Sequence, residues 1–270
     1  VATTFYRVVP EVLVVQNEVM KSDAMRCQNI KPEHITVIGF PQFDLYRKKD
    51  ILLSRKDFFK SIGLNDPTKK LIFWGSSGMW TPNDNNICET LVDTVENNKL
   101  DIPAYLFIRS HFTDAVKKRF HYLKGRENVI VDDNYTFSEF FRDNFDATKD
   151  EIIKFINTIY HSDVIISLCS TLALDALCYD KPIINTVFEG LYDKEGNDIS
   201  YVMYMHEHYK PLLKHDAVKL VYSKDELISN INRYLNHPEY EKEARAKAFE
   251  TLCYKGDGLA SKRLADVVLS

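Results

Sequence analysis

Short runs of consecutive apolar residues punctuate the chain, and amphipathic stretches separate them. The runs are Leu71-Ile72-Phe73-Trp74, Ala104-Tyr105-Leu106-Phe107-Ile108, Val129-Ile130-Val131, Val164-Ile165-Ile166-Ser167 and Pro182-Ile183-Ile184-Asn185. Apolarity at successive positions marks strands covered on both faces. The stretches 54–63, 87–97, 114–123, 151–161 and 171–178 have helical character, the first with Ser54 and Asp57 at its start and Gly63 as its C-cap. Strands alternating with helices predict an α/β fold, a Rossmann-like parallel sheet with helices on both faces. Upstream, residues 8–15 (VVPEVLVV) read as a strand broken by Pro10, and residues 35–39 as a second strand ended by Gly39 and Pro41. The helical stretch 16–28 between them is long enough to make the two strands parallel. The chain opens without Met, in what reads as mid-domain, so residues 1–45 are expected to be the remnant of a preceding domain plus a hinge, packed on a nucleotide-binding domain of residues 46–270. Residues 135–149 are polar and aromatic and read as irregular, 188–214 as a long loop, and 224–269 as mostly helical.

Composition narrows the partners. The 270 residues carry 35 Lys and Arg against 39 Asp and Glu, a net charge of −4. That balance excludes a nucleic-acid footprint, so any phosphate binding must be local. Cys27, Cys88, Cys169, Cys178 and Cys253 are odd in number and form no C-x-x-C pair, which argues against a disulfide framework and for a reducing cytoplasm. No apolar run reaches the roughly 20 residues of a membrane span. His206 and His208 flank Glu207, but the rest of a metal-ligand set is missing, and no metal is expected.

Ligands of open parallel sheets lie beyond the carboxyl ends of the strands. Three such ends carry phosphate-compatible groups: Gly75-Ser76-Ser77-Gly78, Arg109-Ser110-His111 and Ser167-Leu168-Cys169-Ser170-Thr171. In the last, hydroxyl residues run directly into an apolar helix, where Ser170 or Thr171 caps the helix and its backbone N–H groups offer an anion site; a plain cap without ligand is the alternative. Asp175, one turn on in an otherwise apolar helix, needs a partner, and a ribose diol is suitable; a solvent-facing carboxylate is the alternative. Arg109 and His111 alternate at a strand end, and a cation with an imidazole suits a diphosphate or a leaving phosphate; a surface Arg and a structural His are the alternative. Ser76 and Ser77 bring a flexible loop to the same edge, and Glu189, in the loop after the last apolar run, completes the candidates for binding the nucleotide. Arg109→Ala is expected to weaken nucleotide binding roughly tenfold, by loss of a hydrogen bond to a charged group, and to leave the fold intact.

The segments 162–176 (SDVIISLCSTLALDA) and 180–184 (DKPII) resemble the donor-binding motif of GT-B-type transferases, closest to the CDP-glycerol glycerophosphotransferase-like and surface-polysaccharide enzymes. Residues 38–44 (IGFPQFD) are similar to the G-x-P-x-x-D hinge before their C-terminal domain. Residues 108–111 (IRSH) resemble their basic strand end, although Phe112 stands where Pro is usual. The resemblance covers residues 12–270. It implies the C-terminal half of a GT-B-type fold and a transferase moving a sugar or polyol phosphate from a CDP-, UDP- or CMP-linked donor to a glycan or lipid-linked acceptor of surface-glycan assembly. The donor is a substrate, and no further cofactor is implied. Ser170 and Thr171 would hold phosphate, Asp175 ribose, and Arg109 with His111 the leaving phosphate. The catalytic base would lie in the acceptor domain, through which the protein would sit at the inner face of the membrane. UDP-sugar 2-epimerases share the architecture, which leaves an epimerase or a non-catalytic nucleotide- or partner-binding domain as further readings.

Overall fold

The computed structural model describes residues 8–138, 145–207 and 209–270. The chain begins with a small βαβ unit: β1 (Leu13–Val15), α1 (Glu18–Gln28) and β2 (Ile35–Val37). Of the strand expected over 8–15, only the last three residues pair, because Pro10 interrupts it and Val8 and Val9 stand in solvent. β1 and β2 are parallel, as the crossover length requires, and close over a cluster of Val15, Ala24, Ile30 and Ile35. Asn17 caps α1 with its side-chain oxygen and donates its amide to the Leu252 carbonyl at 2.8 Å, which ties this unit to the rest of the chain.

The remaining elements are α2 (Arg55–Ser61), β3 (Lys70–Gly75), α3 (Asn85–Glu96), β4 (Ala104–Arg109), α4 (Phe112–Val116), β5 (Val129–Asp132), α5 (Lys149–His161), β6 (Val164–Ser167), α6 (Leu172–Leu177), β7 (Ile183–Thr186), α7 (Lys210–Leu213), β8 (Lys219–Val221), α8 (Lys224–Asn236), α9 (Lys242–Leu252) and α10 (Ala260–Leu269). Six strands form one wholly parallel sheet in the order β5-β4-β3-β6-β7-β8. Their side chains alternate between two cores. Leu71 and Phe73 face the layer of α2, α5, α6 and α9, while Ile72 and Trp74 face that of α3 and α8. This is the predicted doubly covered Rossmann-like sheet.

Three elements differ from the sequence reading. The helix expected over 114–123 breaks into α4 and a separate 3₁₀ turn, His121–Leu123, because Lys118 enters the left-handed region at φ 53°. Within 188–214, Ser200–Met205 forms a 3₁₀ helix and Lys210–Leu213 forms α7, anchored by the buried Tyr204 and Tyr209. The tail contains β8, whose three residues complete the sheet edge.

Strand order positions the site. From β3 the chain proceeds outward through β4 and β5, then returns to β6 on the other side of β3. The sheet therefore has a topological switch point between β3 and β6, where a crevice opens at the carboxyl edge. Register places Gly75 opposite both Arg109 and Ser167, and Arg109 opposite Asp132. The three loops singled out from sequence thus leave the sheet at one level.

Candidate functional site

The crevice at the switch point is a cavity of about 390 Å³ whose lining includes Ser76, Arg109, His111, Ser170, Thr171 and Asp175. A second cavity of about 340 Å³ adjoins it and shares Ser76, His111, Ser170 and Thr171, adding Ser77 and Trp80. Glu189 lines neither. It sits in the left-handed region at φ 52°, its backbone N–H donates to Asp198, and its carboxylate lies 3.2 Å from Lys224 Nζ.

The groups that converge are held by different means. Ser170 Oγ accepts from the Leu172 N–H at 3.2 Å, and the Ser170 and Thr171 carbonyls accept from the N–H groups of Ala173 and Leu174. The first turn of α6 thereby uses its own amides, so the expected anion site rests on the Ser170 and Thr171 side chains more than on free helix N–H groups. Thr171 makes no capping bond and is exposed. Asp175 has a protein partner: Tyr46 donates to its Oδ1 at 2.6 Å. Burial raises the Asp175 carboxyl to about 6, against the pull of the Tyr46 hydroxyl. It is neither a solvent-facing surface acid nor an unpartnered one, and it still forms part of the cavity wall.

Arg109 is neither isolated nor superficial. Its guanidinium lies 2.5 Å from the buried Asp132 and is sandwiched between the Tyr135 and Phe155 rings, at 5.0 and 4.8 Å. Lys154 approaches Asp132 from the other side at 2.6 Å, leaving the trio with a net positive charge beside the cavity, whose lining also includes the Glu151 carboxylate. The sequence reading expects Arg109→Ala to leave the fold intact; the pair adds a cost in stability to that expectation, because the buried Asp132 would keep only Lys154 as a partner.

His111 is the N-cap of α4. Its Nδ1 accepts from the Thr113 N–H at 3.3 Å and is 2.8 Å from Thr113 Oγ1, so the proton of the neutral ring sits on Nε2. Burial lowers its pKa, with nearby Asp114 opposing. A neutral imidazole with one N–H donor suits a phosphate oxygen without adding charge. Phe112 occupies the first helical position of α4, a place where proline is favoured.

The sequence reading missed the aromatic side of the cavity. Phe73, Phe112, Tyr135, Phe145 and Phe155 line it, and Tyr135 holds the loop by donating to the Ser110 carbonyl. The only signal was the density of aromatics in 135–149, a stretch of which 139–144 lie outside the described residues. Ser110 Oγ and Ser77 Oγ are buried with no hydrogen-bond partner, two hydroxyls beside the cavities with unused capacity. Of the histidines considered for a metal, His208 lies outside the described residues. No group of three or more His, Cys, Asp or Glu side chains among the described residues is arranged to hold a metal ion, and no described helix is long and apolar enough to cross a membrane.

A family model described as CDP-glycerol:poly(glycerophosphate) glycerophosphotransferase matches residues 7–270. No curated protein matches the chain. Among solved structures, the wall teichoic acid polymerase TagF in a form soaked with CDPG superposes with a TM-score of 0.60 at 16% identity, covering 96% of this chain and 56% of that one. The UDP-GlcNAc 2-epimerase from Neisseria meningitidis, bound to UDP-GlcNAc, gives 0.59 at 15% identity, covering 96% and 60%. That from Methanocaldococcus jannaschii, with UDP-GlcNAc and UDP, gives 0.56 at 13%, covering 96% and 61%. At such identities the likeness is one of fold, here the GT-B-type Rossmann-like fold, and the chain spans less than two thirds of the length of these structures.

Proposed function

The chain belongs to the CDP-glycerol:poly(glycerophosphate) glycerophosphotransferase family, and from that premise we propose that it forms the donor-binding part of a transferase acting in surface-glycan assembly. The donor is a nucleotide-linked polyol phosphate or sugar, with a cytidine nucleotide favoured by the family. The observation that carries the reading is the convergence of Ser76, Arg109, His111, Ser170, Thr171 and Asp175 on one cavity at the sheet's switch point. No two of the three loops are neighbours in sequence, and a nucleoside diphosphate needs donors from several directions.

In this reading the Thr171 and Ser170 hydroxyls and the His111 Nε2–H hold the phosphates. The net positive charge of Arg109, Asp132 and Lys154 stabilises the charge that builds on the departing nucleotide. The aromatic wall of Tyr135, Phe145 and Phe112 packs the flat faces of the base, and Asp175 with Tyr46 meets the ribose. An acceptor hydroxyl attacks the transferred group as its bond to the nucleotide breaks, and the acceptor is a glycan or a lipid-linked glycan presented at the cytoplasmic face of the membrane. The acceptor's proton goes to a base, which this reading places in the acceptor-binding domain.

Isothermal titration of the chain with CDP, CMP, UDP and GDP tests this. CDP is expected to bind most tightly, and Thr171→Ala to weaken it roughly tenfold. A preference for UDP would favour the epimerase-like alternative, and no binding of any of the four would refute a donor site in this chain.

A further inference from the structure

We propose that Arg119 is a positioning residue for His111, clamping the loop after β3 to the turn after β4 through the carboxylates of Asp84 and Asp114. The role rests on the reading of His111 as a contact for donor phosphate. Arg119 lies outside every motif apparent in the sequence. The left-handed Lys118, at φ 53°, turns the chain back after α4 and delivers Arg119 beneath the two loops.

The geometry is that of a fork with two tines. One guanidinium nitrogen is 2.7 Å from Asp84 Oδ1 and another 3.3 Å from Asp114 Oδ1, with the Arg119 side chain 13% exposed and the two carboxylates at 0% and 5%. The same group donates to the Pro82 carbonyl at 2.7 Å. Each carboxylate spends its other oxygen on a loop. Asp84 Oδ2 accepts from the Thr81 hydroxyl at 2.8 Å and from the Ser77 N–H at 3.4 Å. Asp114 Oδ2 accepts from the Ser76 hydroxyl at 2.7 Å, and Ser76 Oγ accepts in turn from the His111 N–H at 2.7 Å. An unbroken hydrogen-bonded chain therefore runs from the Arg119 guanidinium through Asp114 and Ser76 to the His111 backbone, and an ion pair joins Arg119 to Asp84, which accepts from Ser77.

The loop and the imidazole are in contact where these chains meet. Gly78 has φ +66°, and a Cβ there would come within 2.6 Å of His111 Nδ1 and 2.5 Å of Thr113 Oγ1. The ring is thus pressed between its own helix cap and the Gly78 backbone, and its attitude depends on the separation of the two loops. Two buried carboxylates share one cation, and burial raises Asp84 to about 6, against the pull of Arg119. Only a planar fork reaches both carboxylates at once; a lysine ammonium is a point charge that serves one of them.

The test compares the parent chain, Arg119→Lys, Ser76→Ala and the double variant. The readouts are the ring resonances of His111 in histidine-labelled protein, assigned with His111→Gln, their titration with pH, and CDP affinity. Positioning predicts that both single variants move the His111 resonances and shift its titration upward toward the ordinary histidine value as the ring loosens. It also predicts that CDP affinity falls roughly tenfold in each and no further in the double variant, because both substitutions cut one chain. A merely structural Arg119 predicts a lower melting temperature with the His111 resonances and titration unchanged, and that result overturns the proposal. Should Arg119→Lys not fold, Ser76→Ala, which removes a single hydroxyl, is judged on the same histidine readout. Should the parent bind no CDP, the functional reading fails by itself, and the His111 titration alone decides the clamp.

Discussion

At the scale of single residues, the cavity is built from groups that already have partners, so their roles differ from what their chemical types alone suggest. Asp175 is the clearest case. Its carboxyl is raised from 3.8 to about 6 by burial. A raised carboxyl contributes stability that is fully present below its unfolded value and is lost as pH climbs through its folded value. The window is therefore about pH 4 to 6, and the contribution is at most about 3 kcal/mol at 1.36 kcal/mol per unit. Asp175→Asn keeps an acceptor for Tyr46 and removes the titration, so the fall in stability between about pH 4.5 and 7 should be shallower than in the parent. Urea unfolding at the two pH values measures it, and equal slopes would show that Asp175 is not buried as described. Arg109→Ala, in contrast, should destabilise by about 3 kcal/mol because it leaves a buried carboxylate short of a partner. A midpoint unchanged in the same urea experiment would return Arg109 to the surface role that the sequence allowed.

At the scale of elements, legibility followed the length of the apolar runs. β3, β4, β6 and β7 were readable because each presents successive apolar residues to two cores. β8 was not, since Lys219–Val221 is too short to carry a pattern and pairs only because β7 offers an edge. The helix start at Ser170 and Thr171 was readable from small hydroxyls before an apolar run, but the use made of the first-turn amides was not, because hydrogen-bond bookkeeping depends on coordinates. Arg119 was invisible for a related reason: its partners are 35 and five residues away, brought together by a left-handed residue that no local pattern announces. The short helix α6 yields a prediction of its own. Ser170→Ala removes the bond to the Leu172 N–H and should cost about 1 kcal/mol, as loss of a helix cap does, visible as a lowered thermal midpoint. An unchanged midpoint would mean that the turn closes without that hydroxyl.

At the scale of the whole molecule, the order of strands matters more than any single motif. Because the sheet grows outward from β3 and then restarts at β6, the loops after β3, β4 and β6 meet at one edge, and the candidate groups gather there despite a spread of about a hundred residues in sequence. The βαβ unit of β1, α1 and β2 adds a separate small sheet with its own apolar cluster, joined through Asn17 and α9. We propose that it is the end of the acceptor-binding domain with its hinge. Hydrogen–deuterium exchange with and without saturating CDP locates the donor on the molecule. A donor at the switch point slows exchange at residues 76–78, 110–113 and 170–172 and leaves 224–236 unaffected. Protection confined to other segments, with CDP bound, would contradict it.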